Sequence, residues 1–351
     1  MRNITVLYDG TNYTRAWLQP LVWARTEFEE EGFNIFFFGR ENFTERGVYE
    51  EIKIPIDKLE NLDIVLCAFH DSGAFGNPEL QIEQLIKLKS KAKYIVWLDV
   101  EDSTGGCKFN LLPYVDKYLK GQLLKDMDMY QKPYFAGRVW CDYYHKYMGI
   151  EDDKYSMEYF GIEDKTHINK IGLSWNFGLG KMVYETDFFK ASKDRTYDLY
   201  YRGTTFDSIT HYQRNLVIEK LKKITDLRMV NPEEYVSKKK YIEEIRNSRC
   251  MISPFGWGEL CLRDFEAFTV GAALIKPVVN HMVTYPDCFK EYETYIPLKW
   301  NFDNFYEVLE LIKNEDYTFY IAQNGQNRYI KYARSKHARI LFVKHLLKQM
   351  F

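Results

Sequence analysis

Nothing in this sequence approaches the ~20 consecutive apolar residues that a bilayer-spanning helix needs. Its apolar runs are short, as at Ile64–Phe69 and Ala272–Ile275. The opening residues, Met1–Val6, lack the long apolar stretch and small-residue cleavage site of a secretory signal. The expected compartment is the cytoplasm. An excess of one charge is also missing. Forty-eight Lys and Arg face 50 Asp and Glu, a formal net charge of −2. No overall field draws such a chain onto a polyanion, so no nucleic-acid partner is expected. Cysteine is dispersed: Cys67, Cys107, Cys141, Cys250, Cys261 and Cys288 never fall in C-x-x-C spacing. Short-spaced zinc and thioredoxin-type motifs have no support, and the thiols read as reduced and mostly buried. Nucleotide fingerprints are absent as well. Gly105-Gly106 lacks the G-x-G-x-x-G spacing after a first strand, and there is no Walker lysine. Asp99 and Asp102 stand three apart, only loosely like a D-x-D metal motif. No essential metal and no cofactor are therefore expected.

What is present is a folding chain with room for about two domains at ~150 residues each. Hydrophobic residues make up 46% and charged residues 28%, values that exclude intrinsic disorder. The first half alternates strand and helix signals. Asn3–Tyr8, Asn34–Phe38, Asp63–Phe69 and Tyr94–Leu98 read as strands, with helices at Thr14–Glu31 and Glu79–Lys91. The third strand is nearly all apolar, as a strand buried on both faces should be. Leu111–Met129 and Arg138–Tyr147 are expected to contain helical pieces, and Lys170–Trp175 reads as a strand. A linker is expected near 180–195. A second series follows, with strands at Tyr197–Tyr201, Leu227–Val230, Cys250–Ser253, Ala273–Lys276 and Thr294–Pro297. Helices are expected at His211–Ile224, Val236–Asn247, Leu260–Val270 and Phe305–Asn314. The fold class is α/β, with two Rossmann-like domains facing a cleft. The boundaries are expected at 1–185, 186–325 and a C-terminal helix at 326–351 that packs back on the first domain. Ligands in such sheets bind outside the carboxyl ends of the strands.

Residues 250–277 carry the strongest signal. A strand leads into a loop with Gly256 and Gly258, then into a helix whose first turn holds Arg263. Glycines let backbone approach a ligand closely, and a helix N-terminus favours phosphate. Arg263 and Glu266 are three apart and share a helix face. A guanidinium suits a diphosphate, and a carboxylate accepts both hydroxyls of a ribose.

The segment resembles the C-terminal nucleotide-sugar half of a GT-B glycosyltransferase, closest to the exostosin-like and CgeB-like groups. The resemblance rests on Ser253-Pro254, Gly256, Gly258-Glu259, Arg263, Glu266-Ala267, Gly271-Ala272 and Leu274-Ile275-Lys276-Pro277. It implies transfer of a sugar from a nucleotide-diphosphate sugar to a hydroxyl of a glycan or lipid-linked acceptor. A residue placed like Glu266 holds the ribose in such proteins, and one placed like Arg263 lies near the pyrophosphate. Ser253, Gly256, Gly258 and Glu259 complete the expected donor site. Retaining enzymes of the common type carry two glutamates eight apart, whereas Glu259 and Glu266 are seven apart. Retention and inversion both stay open. A non-catalytic nucleotide- or sugar-binding protein and a nucleotide-sugar epimerase are the competing readings.

Outside the motif, Arg202 follows the first strand of the second half, where it is expected to neutralise the departing diphosphate. A general base is expected from the first domain. Asp9 and Asp102 are the leading candidates beside His70, Asp71 and Asp99, although turn and cap chemistry also explains such residues. From Tyr317 to Phe351 there is no acid, and Arg328, Lys331, Arg334, Lys336, Arg339, Lys344 and Lys348 give +7. Ile330, Ala333, His337, Ile340, Leu341 and Leu347 follow helical spacing around them. Packing on the first domain is expected, and a peripheral contact with an anionic membrane is the second reading.

Overall fold

The computed structural model describes residues 1–39, 58–70, 78–152, 161–162, 164–178 and 187–351. The first lobe runs β1 (Arg2–Tyr8), α1 (Asn12–Trp23), α2 (Arg25–Glu30), β2 (Phe33–Phe38), β3 (Leu62–Ala68), α3 (Pro78–Lys89) and β4 (Ala92–Asp99). It continues with β5 (Lys117–Lys120), β6 (Gln122–Leu124), α4 (Val139–Met148) and β7 (Ile171–Leu173). Six strands form one parallel sheet in the order β2-β1-β3-β4-β5-β7. The strand order reverses between β1 and β3, so the crevice of this lobe opens after Tyr8 and Ala68.

The second lobe runs β8 (Tyr197–Tyr200), α5 (Tyr212–Leu221), α6 (Lys238–Arg246), β9 (Ser248–Ile252), α7 (Leu262–Val270) and β10 (Ala273–Pro277). Then come β11 (Met282–Thr284), β12 (Tyr295–Leu298), α8 (Phe305–Leu311), α9 (Glu315–Ala333) and α10 (Lys336–Met350). Its parallel sheet has the order β12-β10-β9-β8. A single bridge, Leu199 to Met229, flanks β8 on its far side. The crevice of this lobe therefore opens after β8 and β9. Both sheets are buried on each face, which explains their nearly unbroken apolar strands.

Two devices join the lobes. Strand β6 pairs antiparallel with β11, Met282 opposite Leu124 and Thr284 opposite Gln122. Helix α10 then returns to the first lobe. Phe342 meets Phe28 edge-on at 6.2 Å, and Arg339 Nε donates to Glu27 Oε1 at 2.7 Å. Gln349 Oε1 accepts from the Leu173 N–H at 3.0 Å.

The structure departs from the pattern reading in four places. Residues 111–129 hold the expected helical pieces as 3₁₀ turns at either end, but between them lie the strands β5 and β6, which the pattern did not show. Lys120 hid the strand: its ammonium is buried against Asp99 Oδ2 at 2.6 Å, where a lysine reads as surface. Residues 227–230 contribute only the Met229 bridge. The first helix divides at Ala24. The C-terminal stripe divides at Arg334-Ser335, where Ser335 caps α10 by accepting from the Ala338 N–H at 3.0 Å. That break resets the helical phase, so Ala338, Phe342, Val343, Leu346 and Met350 are buried instead of the Ile340–Leu347 stripe. The boundary expected at 185 and 186 lies outside the described residues. Among the described residues no helix is long and apolar enough to cross a membrane.

Candidate active site

The crevice after β8 and β9 holds a cavity of about 900 Å³. Its walls come from the loop after β8 (Arg202–Asp207), the first turn of α5, the loop at 232–236, Tyr241 and Arg263. Besides Arg202, two guanidinium groups line it. Arg214 on α5 lies under Gly256, where a Cβ would overlap its Nη2. Arg263 on α7 donates from Nη2 to the Arg202 carbonyl at 2.8 Å and lies 5.1 Å over the Tyr201 ring. Nε of Arg214, Nε and Nη1 of Arg263 and the Tyr201 hydroxyl are buried and find no hydrogen-bond partner among the described residues. Buried donors left unpaired cost folding free energy, about 1–3 kcal/mol each and more when charged. Arg214 and Arg263 line one cavity, an arrangement whose chemistry suits an anion.

Glu266 stands one turn beyond Arg263 and accepts a hydrogen bond from the Tyr241 hydroxyl. Burial pushes its carboxyl up, and the Tyr241 bond and Arg263 charge only partly offset this. Arg202 is placed differently from expectation. Nε and Nη2 fork onto the buried Glu244 at 2.7 and 2.9 Å, and Nη1 donates to the Asn231 and Glu234 carbonyls at 2.5 and 2.6 Å. Nη2 also lies 3.5 Å from Glu234 Oε2. Four of its five N–H groups are thus bonded within the protein, so Arg202 braces the wall of the cavity. Ser253 is also away from the cavity, fully buried with its N–H on the Ile275 carbonyl. The N-terminus of α7 carries a carboxylate of its own. Asp264 Oδ2 accepts from the Cys261 N–H at 2.9 Å and pairs with the buried Lys276 at 2.8 Å. That helix end faces a small gap between the lobes, lined by Tyr13, Asp102 and Cys261 among others, rather than the larger cavity.

The loop 254–259 forms the seam between lobes. Gly256 faces Arg214, while a Cβ on Gly258 would overlap the Asp102 carbonyl. Between them the Trp257 carbonyl accepts from Arg138 Nε at 2.8 Å. Glu259 is fully buried and crosses the seam. Its oxygens take the Thr104 hydroxyl and the Thr104 N–H, the latter at 3.1 Å, and His281 Nε2 lies 3.4 Å away. Burial alone raises this carboxyl, but the His281 and Thr104 contacts outweigh it and hold it below the ordinary carboxylate range. Glu259 is thus a strut between lobes. A depressed folded value contributes stability above the unfolded value of about 4.3 and loses it as pH falls through the folded value. The melting temperature should drop on acidification below about pH 4.3, and Glu259→Gln should flatten that limb of a melting-temperature profile. An unchanged acid limb would contradict the strut.

Across the seam a second cavity, about 290 Å³, lies in the first lobe and includes His70, Glu101, Asp102, Arg138 and Trp257 in its lining. Asp102 Oδ1 accepts from the Tyr13 hydroxyl at 2.9 Å. Burial raises its carboxyl despite Tyr13, His70 and Arg138. A carboxylate so placed is a stronger base than one in water. Asp9 is otherwise occupied. Oδ1 accepts from the Thr11 N–H at 2.8 Å, and Oδ2 from Thr14 Oγ1 and the His70 N–H at 3.0 and 2.7 Å. It pins β1 to α1 and β3 and lies outside the cavity lining, which places it as a turn anchor rather than a base. Asp99 lies at the cavity floor, holding Tyr118 and Lys120 on Oδ2 at 3.0 and 2.6 Å. Asp71 lies outside the described residues. Sequence reasoning missed Arg214 and Arg138. Arg214 sits in the first turn of α5 and Arg138 just before α4, and a basic residue at a helix start was their only signal.

No family model matches the sequence, and no curated protein matches it. Solved structures do. An α-glucosyltransferase in complex with UDP superposes with a TM-score of 0.52 at 10% identity, over 100% of both chains. Two further α-glucosyltransferase structures give 0.51 at 10% identity, one with UDP and DNA containing an A:G mismatch over 100% of both chains, one with UDP-glucose and abasic DNA over 99% of each. The likeness is one of fold: two Rossmann-like α/β lobes facing a cleft, the GT-B arrangement.

Proposed function

We propose that this GT-B chain is a glycosyltransferase that moves a sugar from a nucleotide-diphosphate sugar to an acceptor hydroxyl. The observation that carries the reading is the pair of guanidinium groups, Arg214 and Arg263, with unpartnered buried N–H groups at one strand-end cavity. About 900 Å³ accommodates a nucleotide sugar. The diphosphate lies on the two arginines and the ribose on Glu266. The acceptor enters the first-lobe cavity, beside Asp102. The acceptor oxygen bonds to the anomeric carbon as the bond to the diphosphate breaks. The charge released falls on Arg214 and Arg263, and the acceptor proton passes to Asp102. Side chains of both signs around that cavity suit a glycan or lipid-linked hydroxyl. The enzyme works in the cytoplasm, with peripheral membrane contact through the basic C-terminal helices, and needs no cofactor.

The test is a thermal-shift screen against UDP, GDP, CMP, dTDP and ADP, followed by transfer assays with glycan, lipid-linked and oligonucleotide acceptors. A nucleotide at 100 times its Kd adds about 2.7 kcal/mol of stability. One nucleotide should raise the melting temperature, and Glu266→Ala should abolish most of that shift. Binding without transfer or donor hydrolysis would favour a binding protein. Acceptor-free epimerisation would favour an epimerase. No shift at millimolar nucleotide would remove the reading.

A further inference from the structure

The two ends of the larger cavity differ, and the difference sets the direction of whatever lies in it. Its inner end is Arg214 under Gly256, and the next residue in that loop, Trp257, lines the first-lobe cavity. An anion held there has the seam on one side. The far end is the loop 232–236, and Tyr235 at its tip is 98% exposed. Little around that ring is loose. Arg202 holds the Asn231 and Glu234 carbonyls, Lys222 pairs with Glu233 at 3.0 Å, and Lys240 pairs with Glu234 at 3.1 Å. Asn231 Oδ1 accepts from the Glu233 N–H at 3.1 Å. A buried arginine thus fixes a loop whose one aromatic residue faces open space beside an anion site. Phe206 lines the same cavity, but its ring is already edge-on to His211 at 4.8 Å. Tyr241 also lines the cavity, and its hydroxyl donates to Glu266 behind it.

We propose that Tyr235 is the stacking platform for the base of the nucleotide, so that the donor lies with its base on Tyr235 and its diphosphate on Arg214. This rests on the donor reading above and adds its direction. A planar base covers the tyrosine face that water now covers, while the sugar leaves the cavity beside Trp257 and Asp102. Stacking tolerates any base, because each has a π-face. Base identity is therefore read elsewhere, and Tyr235 sets affinity for nucleotides as a class.

Isothermal titration of the full chain with UDP, GDP and ADP, and separately with inorganic pyrophosphate, tests the assignment. For the nucleotide that binds the wild type, Tyr235→Ala should weaken affinity about 10-fold, within the usual range for loss of one base–aromatic stack. Affinity for pyrophosphate should not change. Tyr235→Phe should keep wild-type affinity, since the ring and not the hydroxyl is used. The residue is exposed, so neither variant disturbs folding. Unchanged nucleotide affinity in Tyr235→Ala overturns the proposal, as does an equal loss for nucleotide and pyrophosphate. Nucleotide binding that ignores Tyr235 yet is lost in Arg214→Ala removes this proposal and leaves the donor site standing. A wild type that binds no nucleotide removes both.

Discussion

Arg214→Ala should lower turnover of the glycosyl donor about 10²–10³-fold, the usual effect of removing one group that stabilises charge developing on a leaving atom. The same substitution should leave the melting temperature at or slightly above the wild-type value. Both expectations have one cause. The Arg214 Nε has no partner among the described residues, so alanine removes an unpaid desolvation cost and breaks no hydrogen bond seen there. The loss appears only when a diphosphate is present to use the fork. Arg214→Lys should recover part of the rate, because it keeps the charge and loses the planar geometry. A second readout is independent of turnover. His211 is buried, and its imidazole is held down to about 4 by burial first and then by the charges of Arg214 and Arg138. Removing Arg214 should move the His211 titration upward, toward 6.5, in an NMR pH series. A variant that retains turnover within a factor of about three would exclude Arg214 from the diphosphate site.

The sheets were legible because their signal is local. A strand such as Ile64–Ala68, covered on both faces, has to be apolar along its length, and the turn and cap residues between such strands mark where the chain reverses. The two-lobed fold followed from that rhythm. The candidate site was legible only as a neighbourhood. Of residues 250–277, Arg263 lines the cavity after β8, and Glu266 stands one turn on, bonded to the cavity-lining Tyr241. What the pattern could not supply is which side chain is already taken. Position after a strand singles out Arg202, but whether a guanidinium is free depends on carboxylates far off in sequence. Glu244 lies 42 residues on and occupies Arg202. Among the described residues no carboxylate is paired with Arg214, whose neighbour Gly256 comes from another loop. Glu259 shows the same limit. Its partner Thr104 lies 155 residues away across the seam, so a motif that reads as donor-binding becomes a strut. Lys120 and Asp264 are ion-paired in the core, where a hydropathy pattern places neither.

Arg202→Ala should therefore do the reverse of Arg214→Ala: it should unfold the second lobe more easily and act on turnover only through that. The fork onto Glu244 is buried on both sides, at 8% and 5% side-chain exposure. Taking one partner from such a pair leaves a charge in low dielectric, which costs about 3–5 kcal/mol. A drop of roughly 10 °C in melting temperature follows if the second lobe melts as a unit. The two carbonyls at Asn231 and Glu234 lose their donors too, so the 231–234 turn should show faster amide exchange. Lysine should rescue poorly, since one ammonium cannot replace a bidentate fork and two carbonyl bonds at once. Glu244→Ala added to Arg202→Ala should restore part of the stability, because the stranded carboxylate goes with it. The double variant then measures the coupling directly. If Arg202 instead faced the diphosphate, Arg202→Ala would cut turnover with the melting temperature intact, and the Glu244 variant would be additive. The two arginines thus make opposite predictions from the same side-chain chemistry. What separates them is where the nearest carboxylate lies.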